Sequence, residues 1–201
     1  MLSQFEGRPV TEDDIAREGQ GRPFFPGRDA DFSISHSGTL AAVSLVRGNL
    51  RTSCDVELVR PRLRKREIAE EYFSASEIDY IFSMSCKVPH CDEDARFNQI
   101  WTLKECYLKL RGQTVFDMAG VPSFIADGDF AFGAAVSVPL EFSIYGMREN
   151  SGARYILSTA VEGAQEVQPE ICRFTQETPS CISIAKIKAP LSPAQTVRPK
   201  M

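Results

Sequence analysis

Between residues 94 and 112 the apolar positions Ile100, Leu103, Tyr107 and Leu110 recur at helical spacing, and Gly112 stands where a left-handed terminating residue is wanted. This predicts a helix from about Asp94 to Arg111. Two more helices are expected before it. One starts after Pro61 in RPRLRKREIAEEYF, with Ile68 and Tyr72 sharing a face. The other is SASEIDYIFSM, opened by Ser74 three residues ahead of Glu77, the spacing of a capping box. Near the N-terminus, TEDDIAREG reads as a short polar helix capped by Thr11, followed by a Gly- and Pro-punctuated loop, GQGRPFFPGRD.

Elsewhere the period is two. The alternation in DFSISHS, the small-residue run TLAAVSLV and the run TSCDVELV read as two strands joined near Gly48-Asn49 in a hairpin. Later, FAFGAAVSV, LEFSIYGMR and ARYILSTAV suggest an antiparallel meander packed on the helices, so the expected class is α+β. From about Glu166 polar residues and prolines multiply. The last 35 or so residues read as an appendage with one strand candidate, CISIAKI, before a loose tail.

Composition narrows the function classes. The chain has 201 residues, 43% of them hydrophobic, enough to bury a core in one domain or two small lobes. A formal charge of −4 gives no broad positive field for a nucleic-acid backbone, while a local phosphate site remains compatible. No run of about 18 apolar residues occurs and MLSQFEGRPV lacks the order of a secretory signal, so a cytoplasmic protein without a membrane partner is expected. The cysteines, Cys54, Cys86, Cys91, Cys106, Cys172 and Cys181, are scattered and read as reduced thiols. CKVPHC lacks the second ligand pair of a structural zinc site and reads as a loop.

Candidate chemistry begins with Asp55 and Glu57. One residue apart in a strand, they point to the same face, with Cys54, Val56 and Leu58 on the other. Such a pair also describes a half-exposed strand, so a third carboxylate decides the matter. WTLKECYLKLRG offers one: Glu105 and Lys109 are neighbours on a helical face. Clustered carboxylates repel unless a cation intervenes, and hard oxygen donors favour Mg²⁺; lysines beside them suit a diphosphate.

The ordered set FSISHSG, CDVEL, FSASE and WTLKECYLK resembles the phosphopantetheinyl transferases of the surfactin-synthetase type. Their pattern is roughly (N/S)-(I/L)-S-H-S, G-(I/V)-D-(I/V)-E, F-(S/T)-x-x-E and W-x-x-K-E-(A/S/C)-x-x-K. The match runs from about Gly21 to Gly112. The resemblance implies two pseudo-symmetric α+β lobes with antiparallel sheets and a coenzyme A site in the cleft between them. It implies transfer of the phosphopantetheine arm to a serine of an acyl, peptidyl or aryl carrier protein, with release of adenosine 3′,5′-bisphosphate. Carried over by residue, Asp55, Glu57 and Glu105 are the expected Mg²⁺ ligands and Lys109 contacts the diphosphate. Glu77 is a candidate for helping remove the serine proton. Ser35 and His36 fall on the S-H-S segment that touches coenzyme A phosphates, Arg22-Pro23 on the segment lining the adenine, and Lys104 on the family lysine, while Trp101 is assigned to packing.

Two departures stand out. Only about 30 residues precede the S-H-S segment, so residues 1–50 are expected to form an abbreviated first lobe, with Arg8, Arg17, Arg22 and Arg28 the nearby basic residues for the 3′-phosphate. Residues 51–165 would be the second lobe with the metal site, and 166–201 the extension. Ser53-Cys54 replaces the usual Gly-Ile. The run Arg60, Arg62, Arg64, Lys65 and Arg66 reads either as a solvated helix start or as a guide for an acidic carrier protein. A monomer is expected over a dimer. The competing readings are a catalytically degenerate module that binds coenzyme A or a carrier, and an Mg²⁺-dependent nucleotide pyrophosphatase.

Overall fold

The helix around the single tryptophan is the axis of the molecule. In the computed structural model the described residues are 7, 9–19, 21–27, 29–83, 92–126, 129–130, 139–163 and, for the backbone alone, 182–188. Helix α3, Glu93–Arg111, starts at Asp92, whose carboxylate accepts from Ala95 N–H at 3.1 Å. Glu93 and Asp94 complement its first turn, Lys109 and Arg111 its last. It ends at Gly112 with φ 65°, where Gln113 N–H returns to Leu108 O, a left-handed closure that glycine takes without steric cost. Of the expected apolar stripe, Ile100, Leu103 and Leu110 are fully buried. The helix is buried well beyond that stripe, since Asn98, Gln99, Thr102 and Lys104 are buried too. Their polar groups are satisfied locally; Thr102 Oγ1, for example, donates to Asn98 O and meets Ser158 Oγ at 2.7 Å.

The other two helices follow the sequence reading with one shift. Helix α1, Lys65–Tyr72, begins four residues after Pro61, behind Arg64 in a left-handed conformation with φ 58°; Ile68 and Tyr72 pack on the core as expected. Helix α2, Ala75–Phe82, carries the complete capping box between Ser74 and Glu77. Lys65 bonds both Glu93 and Asp94, each at 2.6 Å, and so ties α1 to the start of α3.

The N-terminal third differs from the expectation. TEDDIAREG is a 3₁₀ turn at Glu12–Asp14, closed by Thr11 and Asp14, and then strand β1, Ala16–Glu18. The segment read as a loop contains strand β2, Arg22–Phe24, antiparallel to β1. The region read as two strands holds three: β3, Ala30–Ser37; β4, Leu40–Arg47; and β5, Arg51–Leu58. The hairpin turn is Gly38-Thr39, not Gly48-Asn49, which merely leads from β4 to β5. Gly38 has φ 56°, and a Cβ there would lie 3.1 Å from the Tyr155 hydroxyl. Thr39 fixes the turn by donating to Glu149 Oε1 and meeting Tyr155 Oη, both at 3.0 Å.

After α3 come a 3₁₀ turn at Val115–Gly120, two short strands, β6 (Ile125–Ala126) and β7 (Asp129–Phe130), and then β8 (Leu140–Glu149), β9 (Arg154–Glu162) and β10 (Ile182–Lys188). The antiparallel sheet runs β10-β8-β9-β5, so CISIAKI does join the sheet, as its edge. The class is α+β. One core lies between this sheet and the helices, around Phe97, Ile100, Leu103, Phe142 and Ile156. A smaller one gathers Val56, Met147 and Tyr155, with Leu40 and Ala42 of β4 packed against it. The strand candidate FAFGAAVSV beyond Phe130, the loop CKVPHC, Arg8 and Arg28 lie outside the described residues.

Candidate active site

Strand β5 presents alternate faces to two different neighbours. Cys54, Val56 and Leu58 turn toward the β3–β4 hairpin and the smaller core, while Ser53, Asp55 and Glu57 turn toward α3. Ser53 Oγ donates to Cys106 O at 2.7 Å, holding the strand against the helix where a glycine was expected. One turn further along α3, Lys109 Nζ donates to Asp55 Oδ1 at 2.6 Å and to Cys54 O at 3.2 Å. The sequence reading joined these elements through their charges, and this bond joins them in space.

The carboxylates also sense one another. Burial pushes the Asp55 carboxyl up, and Lys109 only partly offsets it. Glu57 is raised by burial and then by the Asp55 charge; Glu105 is raised by burial, then by Asp55, with Glu57 adding to it. Burial alone would lower the Lys109 ammonium, but the charge and hydrogen bond of Asp55 outweigh it, so Lys109 is held above its usual value. Asp55 Oδ2 is buried and has no hydrogen-bond partner among the described residues. A buried, unpaired carboxylate oxygen beside two further acids is the donor set that a hard divalent cation relieves.

Against this, the described residues contain no group of three or more His, Cys, Asp or Glu side chains placed to hold a metal ion. The expected trio is therefore a set of interacting carboxylates and not a preformed cage. That pattern is compatible with Mg²⁺, which is commonly held by one or two carboxylates plus water and substrate phosphate.

The remaining expected residues divide. Ser35 Oγ bonds Asp55 Oδ1 at 2.8 Å, so it belongs to the acid cluster. His36 is exposed on the opposite face of β3, away from Asp55, because adjacent strand residues alternate. Arg22 is nearly buried, with its guanidinium committed to Asp31 Oδ2 at 2.6 Å and Thr52 O at 3.2 Å, and Pro23 pairs with Arg17 in the β1–β2 ladder. Arg22, Phe25, Asp31 and Arg51 line a cavity of about 520 Å³.

Glu77 and Lys104 form a separate pair. Lys104 Nζ lies 3.2 Å from Glu77 Oε2, with the two side chains 1% and 0% exposed. Glu77 Oε2 also accepts from Ser74 N–H at 2.8 Å and Oε1 from Phe124 N–H at 2.9 Å. Lys104 further donates to Val121 O and lies over the Phe73 ring; burial holds its ammonium below the usual value. Buried and bonded in this way, the Glu77 carboxylate is not open to an incoming serine in this structure. The expectation of Glu77 as a proton acceptor and of Lys104 as a coenzyme A-binding residue does not fit this geometry. Helical phase was the available signal: five residues turn the helix by about 140° between Lys104 and Lys109.

Two residues outside the expected site set bear on it. Arg62 stacks its guanidinium 4.7 Å from the Trp101 ring and 5.1 Å from that of Phe97, and its terminal nitrogen is 3.8 Å from Glu57 Oε1. Trp101 thus serves packing, as expected, and in doing so steadies Arg62. The second is Ser37, whose hydroxyl bonds Glu57 Oε2 at 3.1 Å. Its signal was the Ser-x-Ser spacing, in phase with Asp-x-Glu.

Comparison with known proteins bears on the same elements. The model of the 4′-phosphopantetheinyl transferase superfamily matches residues 53–135, the stretch that holds Asp55, Glu57, Glu77, Lys104, Glu105 and Lys109. Over that stretch the chain is similar to this superfamily. The chain is 35% identical over 105 residues to the 4′-phosphopantetheinyl transferase AcpT of Salmonella typhimurium, covering 52% of each protein. It is 34% identical over 106 residues to AcpT of Escherichia coli K12, covering 52% of the chain and 51% of that protein. To the 4′-phosphopantetheinyl transferase psf-1 of Bacillus pumilus it is 29% identical over 127 residues, covering 63% of the chain and 50% of the relative. The matched stretch spans about half the length of each of these curated relatives. The superfamily match begins after Arg22, Ser35 and His36, so the N-terminal expectations rest on the motif resemblance alone.

Proposed function

We propose that this chain transfers the 4′-phosphopantetheine arm of coenzyme A to a serine of an acyl, peptidyl or aryl carrier protein, releasing adenosine 3′,5′-bisphosphate. The observation that carries the reading is the meeting of β5 and α3, where Asp55 and Lys109 pair beside Glu57 and Glu105 within the superfamily match. Asp55, Glu57 and Glu105 would hold Mg²⁺, with the buried Oδ2 of Asp55 as one donor. When bound, the ion supplies charge neutralisation for the diphosphate and its leaving group. Lys109, fixed by Asp55 and kept charged by it, is placed to bind a diphosphate oxygen. Holding the reacting phosphorus and the serine in line is the rest of the task.

Residues 1–50 would act as an abbreviated first lobe, 51–165 as the lobe with the acid cluster, and 166–201 as an extension whose strand 182–188 edges the sheet. Arg22, Pro23 and His36 stay candidates for coenzyme A only if substrate binding redirects them, since Arg22 is committed to Asp31 and His36 faces outward. Of the basic run, Lys65 is held by Glu93 and Asp94 and Arg62 lies on Trp101, so Arg60, Arg64 and Arg66 would offer the basic approach for an acidic carrier. A cytoplasmic monomer is expected; no helix among the described residues is long and apolar enough to cross a membrane.

The test is direct. Purified protein, coenzyme A, Mg²⁺ and a panel of apo carrier proteins should add the mass of the phosphopantetheine arm to at least one carrier. No added mass on any carrier would overturn the transferase reading. A second reading, a module that binds coenzyme A or a carrier without turnover, is favoured by the lack of a preformed three-donor group among the described residues. Calorimetric binding of coenzyme A without mass transfer would select it.

A further inference from the structure

Strands β3 and β5 run side by side, yet they belong to different sheets. Their contacts advance together: Asp31 with Thr52, Ser33 with Cys54, Ser35 with Asp55 and Val56, Ser37 with Glu57 and Leu58. The two strands are therefore parallel neighbours, stitched by side chains of β3 in place of a backbone ladder. Asp31 Oδ2 accepts Thr52 N–H at 2.8 Å, Ser35 Oγ accepts Val56 N–H at 3.2 Å, and Ser37 Oγ accepts Leu58 N–H at 3.1 Å.

This stitching constrains the carboxylates. A serine hydroxyl has one proton to give. Because Ser35 Oγ and Ser37 Oγ both accept a backbone N–H, each sends its own proton to the acid beside it, Ser35 to Asp55 Oδ1 and Ser37 to Glu57 Oε2. Each carboxylate is thereby divided into one oxygen that is held and one that is offered. For Asp55 the offered oxygen is the buried Oδ2, which has no partner among the described residues. For Glu57 it is Oε1, faced by the Arg62 guanidinium at 3.8 Å, too long for a direct hydrogen bond.

We propose that Ser37, together with Ser35, is a positioning residue that aims the free oxygens of Glu57 and Asp55 at a shared divalent cation. The inference rests on the reading that these acids bind a metal ion. Ser37 is the member to test, since it is only half-buried and its neighbourhood tolerates change better than that of buried Ser35. The variants are Ser37→Ala and the shape-matched pair Ser37→Thr and Ser37→Val, both β-branched and suited to a strand.

The measurement is binding of Mn²⁺ alone to the free protein, followed by electron paramagnetic resonance, with thermal melting alongside. Loss of a group that orients a ligand weakens metal binding by about 10-fold or more. Ser37→Ala and Ser37→Val should therefore show that loss on protein that is still folded, with a melting temperature lowered equally in both by the lost Leu58 N–H acceptor, while Ser37→Thr keeps wild-type affinity within about twofold and the wild-type melting temperature. If Ser37→Ala does not fold, the Thr and Val pair decides alone. Equal affinity in Thr and Val variants, with Asp55→Asn abolishing binding, overturns the positioning role and leaves the metal reading standing. Mn²⁺ binding that is absent from the wild type both alone and with coenzyme A present, or untouched by Asp55→Asn, overturns both.

Discussion

Helix α3 carries two lysine–carboxylate pairs, and they have opposite characters. Lys104 with Glu77 is sealed: both side chains are almost wholly buried, and Glu77 also takes the N–H groups of Ser74 and Phe124. Lys109 with Asp55 is open: Lys109 is partly exposed, Asp55 keeps an oxygen with no partner among the described residues, and after burial its charge raises the proton affinity of two further carboxylates, Glu57 and Glu105. Both lysines belong to one short motif, WTLKECYLK, so residue type and spacing alone do not separate them. Saturation does. A charge buried with its partner and bonded to backbone serves the fold, whereas a charge left with an unpaired oxygen in a polar recess is available to a ligand.

The sharpest way to break this contrast is to remove Lys104. Lys104→Ala leaves Glu77 charged and buried with nothing to balance it, and should lower unfolding free energy by about 3–5 kcal/mol in urea titration. The double replacement Glu77→Gln with Lys104→Met, which removes both charges, should recover much of that loss. A Lys104→Ala protein within about 1 kcal/mol of the wild type would show that the pair is not a structural bolt.

Next in size comes the open side. Glu105→Gln removes one of three mutually repelling acids, so stability should stay equal or rise by a few tenths of a kcal/mol, while transfer to a carrier protein falls by about 10²-fold or more. Function lost with no loss of fold is the signature expected of a site residue. Loss of melting temperature comparable to that of Lys104→Ala would erase the distinction between the two pairs.

What the sequence revealed follows the same division. Local chemistry was legible: Ser74 three residues before Glu77 announced α2, and Gly112 after a periodic run announced the end of α3. Where a stronger local signal competed, the reading failed. Gly48-Asn49 looks like a better turn than Gly38-Thr39, yet the hairpin closes at the latter because Thr39 and Gly38 fit against Tyr155 and Glu149. Likewise Gly21 and Pro23 suggested a loop, but Pro23 sits in a two-stranded ribbon with β1, a short edge pairing that proline tolerates. The acid pair on β5 and the helix partner were readable by period; the sealing of Glu77 and the role of Ser37 depend on which strand and which loop lie alongside, which no spacing encodes.

A smaller effect tests the scaffold common to both pairs. Asp92 caps α3 and bonds Arg154. Burial alone would raise its carboxyl, but the Arg154 and Ala95 bonds outweigh it and hold Asp92 below the usual range. Its contribution is therefore present above the usual aspartate value near 4 and is lost as pH falls through the lower folded value. Asp92→Ala should cost about 1 kcal/mol at neutral pH and flatten the acid limb of the stability profile, affecting both lysine pairs equally. A selective loss of transfer at full stability would show instead that the cap acts on the open site.

The smallest effect separates the two sides by pH. Tyr80, beside the sealed pair on α2, donates to Gln99 Oε1 of α3 at 2.5 Å, and burial pushes its phenol up to about 12. The folded state thus holds this proton more tightly than the unfolded chain, whose tyrosines titrate near 10. The resulting stability is complete below pH 10 and disappears as pH rises through 12. Lys104 acts in the opposite sense, because burial holds its ammonium below the usual value and folding there releases a proton. Comparing wild type with Tyr80→Phe cancels the lysine contribution and isolates the phenol: the two stability curves should draw together above pH 10, the wild type losing its advantage. Curves that stay parallel through that range would mean that Tyr80 and Gln99 add nothing to the closure of the sealed side, and that Ser74, Phe124 and Lys104 close it without them.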